Sequence, residues 1–155
     1  PFPVFGIDSD NDTAFINAHL LKWCEEKGIT FTRSRPYKKN DNCHVEQKNW
    51  SIVRRYVGYF RYESDSLSVL NDLYKKLRLY INFFQPSMKL IEKKRMGSKV
   101  RKKYDSPKTP FERVLESSEV SDVVKKELTK IYESLNPAQL RKEIAVLQKK
   151  LFKIA

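Results

Sequence analysis

VFGIDSDNDTAF, residues 4–15, runs from a short apolar stretch into a cluster of acids. Val4 to Asp8 reads as a buried strand that delivers side chains at its C-terminal end. Asp10, Asn11, Asp12 and Thr13 suit a helix N-terminus, where short polar side chains satisfy free backbone N–H groups. Ile16, Leu20, Trp23 and Cys24 follow at i, i+4, i+7 and i+8, one face of a helix. Gly28 fits the left-handed position just past its end. Ile29 to Arg33 mixes β-branched and aromatic residues and predicts a second strand. Ser34 to Asn42 is a polar loop. A second helix is expected from about Asn42 to Gly58, with Val45, Ile52, Val53 and Tyr56 as its apolar side. Strand, helix, strand, loop, helix places the chain in the α/β class.

Two carboxylates hold notable places in this order. Asp10 sits at a strand end and Glu46 early on the second helix, with thirty-five residues between them. Carboxylates so delivered can hold Mg²⁺, or Mn²⁺, hard cations that take oxygen ligands. Paired ions of this kind activate a nucleophile and stabilise a leaving oxygen in phosphoryl transfer. Each residue also has a plainer reading. Asp10 can serve as an N-cap, with Asp8 a competitor for any metal role, and Glu46 can simply favour the helix dipole. The apolar stripe expects Glu46 to border the buried face, near Asn49, Trp50 and Val53. Cys43 and His44, with His19 and Cys24, match no tight pair of zinc-ligand motifs and read as core or surface residues.

SDNDTAF, residues 9–15, resembles the SDNG-x-EF segment of DDE-type transposases and integrases, the retroviral-integrase-like and bacterial insertion-sequence enzymes. The resemblance continues through HLLKWCEEKGITFTRSRPYKKNDNCHVEQKNW, residues 19–50, and more weakly through NFFQPSMKL and KTPFERVL to about residue 118. It implies a ribonuclease H-like core and Mg²⁺-dependent DNA strand cleavage and transfer, that is, DNA integration and recombination by a mobile element. It implies that Asp10 is the second catalytic carboxylate and Glu46 the third, both as metal ligands, and its usual spacing of about thirty-five residues is met. It further implies a bacterial cytoplasmic, nucleoid-associated setting and DNA partners, both transposon ends and target. Two positions depart from the pattern: Asp12 stands where the family has Gly, adding a negative charge beside the site, and Ala14 where it has Glu. The family's first catalytic Asp lies on an earlier strand, and this sequence, starting at Pro1, carries no counterpart to it. The expectation is therefore a partial ribonuclease H-like domain, its first strands missing, that is inactive by itself. The alternative is a non-catalytic remnant acting as a basic DNA-binding or oligomerising module.

Beyond the core, Asp65 can cap a third helix. Leu67, Leu70, Tyr74, Leu77, Ile81 and Phe84 form its stripe, and Val69, Leu73 and Tyr80 a neighbouring one; so wide an apolar arc predicts packing on two sides. Pro86 stops it. MKLIEKKR and SKVRKKY flank Met96-Gly97, so a hairpin is expected. Residues 86–108 hold nine Lys or Arg and two acids, more than half of the chain's net charge of +12. Thr109 and Pro110 open a short helix. The stripes Val124–Leu128–Ile131–Leu135 and Leu140–Ile144–Leu147–Leu151–Ile154 predict two helices packed on each other or on a partner, a homo-oligomer included. The expected divisions are 1–85, the core segment; 86–108, the basic hairpin; and 109–155, the helical tail.

A basic excess suits a polyanion, since cations bound to nucleic acid release its condensed counterions. Ribosomal and membrane-surface proteins share such an excess, so charge alone does not select DNA. Lys93, Lys94, Arg95, Arg101, Lys102 and Lys103 in the hairpin, and Lys38, Lys39, Arg54 and Arg55 before it, are the candidate phosphate contacts, the latter four equally readable as a solvated face. No run of about 18 apolar residues is present, so no membrane span is expected. Two cysteines do not suggest a disulfide framework.

Overall fold

The computed structural model describes residues 3–10, 17–38, 41 and 43–154, for 43–45 the backbone alone. The protein mixes helices with two small sheets, in the order β1 (Gly6–Ser9), α1 (Ala18–Glu26), β2 (Thr30–Arg33), α2 (Cys43–Lys48), a π-helical segment (Asn49–Arg54), α3 (Arg55–Val57), a 3₁₀ turn (Ser64–Ser66), α4 (Leu67–Phe84), β3 (Leu90–Met96), β4 (Lys99–Tyr104), α5 (Pro110–Glu116), α6 (Asp122–Ser134) and α7 (Pro137–Leu151). It divides into two compact units, Phe2–Phe60 and Arg61–Ala155.

In the first unit β1 and β2 pair in parallel, Gly6 opposite Thr30 and Ser9 opposite Arg33. Parallel strands need a crossover, and α1 supplies it. The described N-cap of α1 is Asn17, whose Oδ1 accepts from the Leu20 N–H at 2.9 Å. The start expected at Asp10 to Thr13, and Ile16 on the apolar face, fall largely outside the described residues. Of that face, Cys24 is buried and Leu20 half-buried, while Trp23 is 43% exposed. α1 ends as Gly28 demands: the Gly28 N–H donates to the Glu25 carbonyl at 3.1 Å and the Ile29 N–H to that of Cys24 at 2.8 Å. That pair of bonds is a Schellman cap, with Gly28 at φ +64.

The second expected helix forms as one run from Cys43 to Val57, but its middle is π-helical. Hydrogen bonds of the i→i+5 type widen each turn and break the 3.6-residue stacking on which the apolar stripe was read. Val57 is buried and Ile52 and Tyr56 half-buried, while Val53 is 37% and Trp50 63% exposed. Glu46 and Asn49 are exposed too, which corrects the expectation that Glu46 borders the buried face.

In the second unit α4 carries the core. Its buried residues are Val69 and Leu73 of the neighbouring stripe and Leu77 of the first, with Phe83 near its end, while Leu67 is 59% exposed. Leu140, Ile144 and Leu151 of α7 are buried, and α7 is the principal partner of α4. The Lys76 ammonium lies 2.7 Å from Glu143 Oε2, joining the two helices. α4 also meets α5 near its C-terminal end, where Phe83 lies against Phe111. Of the tail helices expected to pack on each other or on a partner, α7 packs chiefly on α4 and not on α6. No α6 residue is buried, and α6 is held through Tyr132, whose ring stacks on Phe111 at 5.0 Å and meets Phe84 at 5.4 Å and Phe83 at 6.3 Å. The apolar face of α4 is thus covered by the tail within the Arg61–Ala155 unit.

Candidate functional site

Because β1 and β2 run in parallel, their carboxyl ends lie on one side. In open α/β sheets that side is where ligands bind. Asp10 directly follows β1 there and is half-buried. Its carbonyl accepts from the Ser9 hydroxyl at 3.0 Å. At the end of β2, Ser34 is tied to β1: its N–H and hydroxyl both donate to the Ser9 carbonyl, at 2.9 and 3.2 Å. Asp8 is exposed and accepts from the Thr32 hydroxyl at 2.8 Å, a cross-strand bond within the ladder.

The loop leaving β2 is pinned by Arg35, whose Nε and Nη2 donate to Asp41 Oδ2 and Oδ1 at 2.8 and 3.0 Å. This fork holds the Asp41 carboxyl below the usual carboxylate range and raises the Arg35 guanidinium. Within the loop Tyr37 takes φ +62, a left-handed backbone that non-glycine residues seldom adopt, with its side chain fully exposed. Lys38 follows on the exposed side; Lys39 lies outside the described residues. α2 then carries Glu46 in its first turn. Of the remaining candidates here, Arg54 sits over the Tyr59 ring at 4.8 Å, a cation–π contact, and Arg55 is exposed. Cys24 is a buried free thiol and His19 is exposed. Among the described residues no three His, Cys, Asp or Glu stand together as a metal-binding group.

The second candidate surface is the β3–β4 hairpin. Gly97 opens its two-residue turn at φ +60, which meets the demand of a type II′ turn for glycine at its first central position. Every residue of both strands is exposed, so neither face is packed. The register sets Lys93 opposite Lys102 and Lys94 opposite Arg101. Like charges directly across an antiparallel pair destabilise it. Glu92, the one acid between residues 89 and 104, pairs with Lys94 at 2.8 Å and stands opposite Lys103. A register shift between Leu90 and Glu92 leaves Ile91 as a bulge.

An isolated two-stranded ribbon is marginal in water, and this one is fastened at its base. Ser87 and Lys108 exchange backbone bonds of 2.9 and 3.2 Å, and the Lys89 N–H donates to Asp105 Oδ1 at 2.5 Å. Arg113 of α5 then reaches both sides, donating from Nη1 to Asp105 Oδ2 at 2.6 Å and from Nη2 to the Ser87 carbonyl at 2.7 Å. This holds the Asp105 carboxyl below its ordinary range, through the Arg113 bond first and the Lys89 N–H second. α5 itself is fixed by a capping box: the Glu112 N–H donates to Thr109 Oγ1 at 3.1 Å and the Thr109 N–H to Glu112 Oε2 at 2.6 Å. The six hairpin cations read from the sequence thus come together in one ribbon, and Lys99 joins them. The Arg113 clamp was not foreseen; the Thr-x-x-Glu pattern at residues 109–112 was the available sign of the helix that bears it.

No protein-family profile matches the chain. Over 114 residues, 73% of its length, the chain is 51% identical to an uncharacterized protein, y4rM, of Sinorhizobium fredii. That match covers 33% of the relative, so the chain spans about a third of the protein it resembles.

Proposed function

We propose that this chain is part of a DDE-type transposase or integrase, a ribonuclease H-like enzyme of DNA integration and recombination, and that it contributes two carboxylates and a basic DNA-holding arm. The observation that carries the reading is the β1–α1–β2–α2 order, with Asp10 immediately beyond β1 of a parallel pair and Glu46 in the first turn of α2. Asp10 and Glu46 are the donor type that Mg²⁺ or Mn²⁺ takes. A two-ion site needs more oxygen ligands than these two, and among the described residues no three His, Cys, Asp or Glu form a metal-binding group. Asp10 and Glu46 would supply part of such a site. Whole-protein strand cleavage and transfer is the proposed activity, with DNA as partner. The 155-residue chain alone is expected neither to cleave nor to join DNA.

Labelled duplex DNA incubated with Mg²⁺ or Mn²⁺ tests this, using the chain alone and a protein extended to the length of its relative. Cleavage by the extended protein, lost in Asp10→Asn and in Glu46→Gln, is the expected result. An extended protein whose activity ignores both substitutions removes the reading. A second reading, a non-catalytic basic module, is favoured by the hairpin, whose exposed cations are independent of Asp10. It predicts salt-sensitive DNA binding with no cleavage in either form.

A further inference from the structure

We infer that the β3–β4 hairpin is a two-sided ribbon that enters the major groove of duplex DNA edge-on, each face meeting one phosphate wall. The inference rests on the DNA-holding role proposed for the hairpin and specifies how it engages. Alternation along the strands sorts the cations into two sets. Lys93, Arg95 and Lys102 share one face; Lys94, Arg101 and Lys103 share the other, with Lys99 beside them. A ribbon lying flat on DNA would use one set and leave the other idle. Lys93 and Lys102 stand opposed on one face, and Lys94 and Arg101 on the other, where Glu92 offsets only part of the charge through its pair with Lys94. Polyanion on both faces relieves both.

Dimensions agree. A pleated layer with its side chains is about 10 Å thick, the spacing at which sheets stack, and the B-form major groove is about 12 Å wide. Seven residues of β3 extend about 23 Å, enough to follow the groove across several base pairs. The A-form RNA major groove is too narrow and deep for such an element. Single strands are bound on aromatic platforms, and this ribbon has only Tyr104, at its base opposite Leu90. Duplex DNA is the partner that uses both faces. The Arg113 fork to Asp105 and Ser87 holds the ribbon by its base and leaves its length clear.

The test measures binding of the full chain to duplex DNA between about 50 and 200 mM salt, where each phosphate contact contributes about 0.9 to the slope of log affinity against log salt. Two variants are compared, Lys93→Thr with Arg95→Thr and Lys102→Thr, and Lys94→Thr with Arg101→Thr and Lys103→Thr. Threonine keeps strand propensity, and removing opposed cations relieves the ribbon. Each variant is expected to lower the slope by about 2 to 3, to a similar extent. Unmodified protein is also offered duplex DNA glucosylated on its 5-hydroxymethylcytosines, which fills the major groove, and duplex RNA of the same sequence. Both are expected to bind at least tenfold more weakly. Loss confined to one face, or equal binding to the glucosylated duplex or to RNA, overturns the groove mode and leaves the DNA-holding role standing. An unmodified chain with no salt-dependent DNA binding overturns both.

Discussion

Gly28 sits at φ +64 with no heavy atom within 4 Å of where a Cβ would project. The cost of Gly28→Ala is therefore the backbone's alone, about 1–2 kcal/mol for an L-residue in the left-handed region. Urea denaturation followed by far-UV circular dichroism measures it, and a change near zero would mean that the Schellman cap relaxes without loss. Arg113 differs, because its worth lies in geometry. Arg113→Met keeps much of the stem but removes the donors to Asp105 and Ser87. Faster amide exchange in Leu90–Met96 and Lys99–Tyr104 is expected, with α4 and α7 still protected. The Asp105 carboxyl titrates below its ordinary range, so its share of hairpin anchoring is complete above the unfolded carboxylate value of about 3.9 and fades as pH falls through the lowered folded value. Asp105→Asn should flatten that acid dependence of hairpin exchange.

At the scale of elements, the core of α4 draws on both sequence stripes, Val69 and Leu73 from one and Leu77 from the other. Leu73 is fully buried and Leu67 is 59% exposed, although both lie on apolar stripes of one helix. Leu73→Ala is expected to cost about 2–5 kcal/mol, the range for a buried leucine whose cavity relaxes only in part. Leu67→Ala should stay within about 0.5 kcal/mol. Equilibrium unfolding of the two variants side by side checks the assignment, and equal costs would mean the helix is rotated from its described position. The π-helical segment poses the converse case. Asn49 to Arg54 carries ordinary helix-compatible residues, and nothing in its own sequence announces i→i+5 bonding.

For the molecule as a whole, the division at residue 60 governs what can be removed. Leu140, Ile144 and Leu151 of α7 are buried where α7 packs on α4, so ending the chain at Ser134 strips α4 of its main cover. That truncation is expected to unfold the Arg61–Ala155 unit, seen as loss of α4 amide protection and increased susceptibility to proteolysis. A truncated chain with native protection in α4 would show that α5 and the aromatic cluster of Phe83, Phe84, Phe111 and Tyr132 suffice. Among the described residues no helix is long and apolar enough to cross a membrane.

Local chemistry determined much of this protein. Gly28 and Gly97 fixed a helix end and a hairpin turn, because only glycine takes those backbone angles without strain. Thr109-Pro110 and Asn136-Pro137 fixed two helix starts. The cations of residues 89–104 declared themselves by count, since a hairpin cannot bury so many charges. Periodicity also gave α4 two apolar stripes but could not say which of their residues are core, because burial depends on which partner arrives, and the partner, α7, lies more than fifty residues later. Only tertiary structure paired α7 with α4 instead of α6, and brought Arg113 to the hairpin base. Each of these depends on contacts between residues distant in sequence, and a pattern read within one segment carries no record of them.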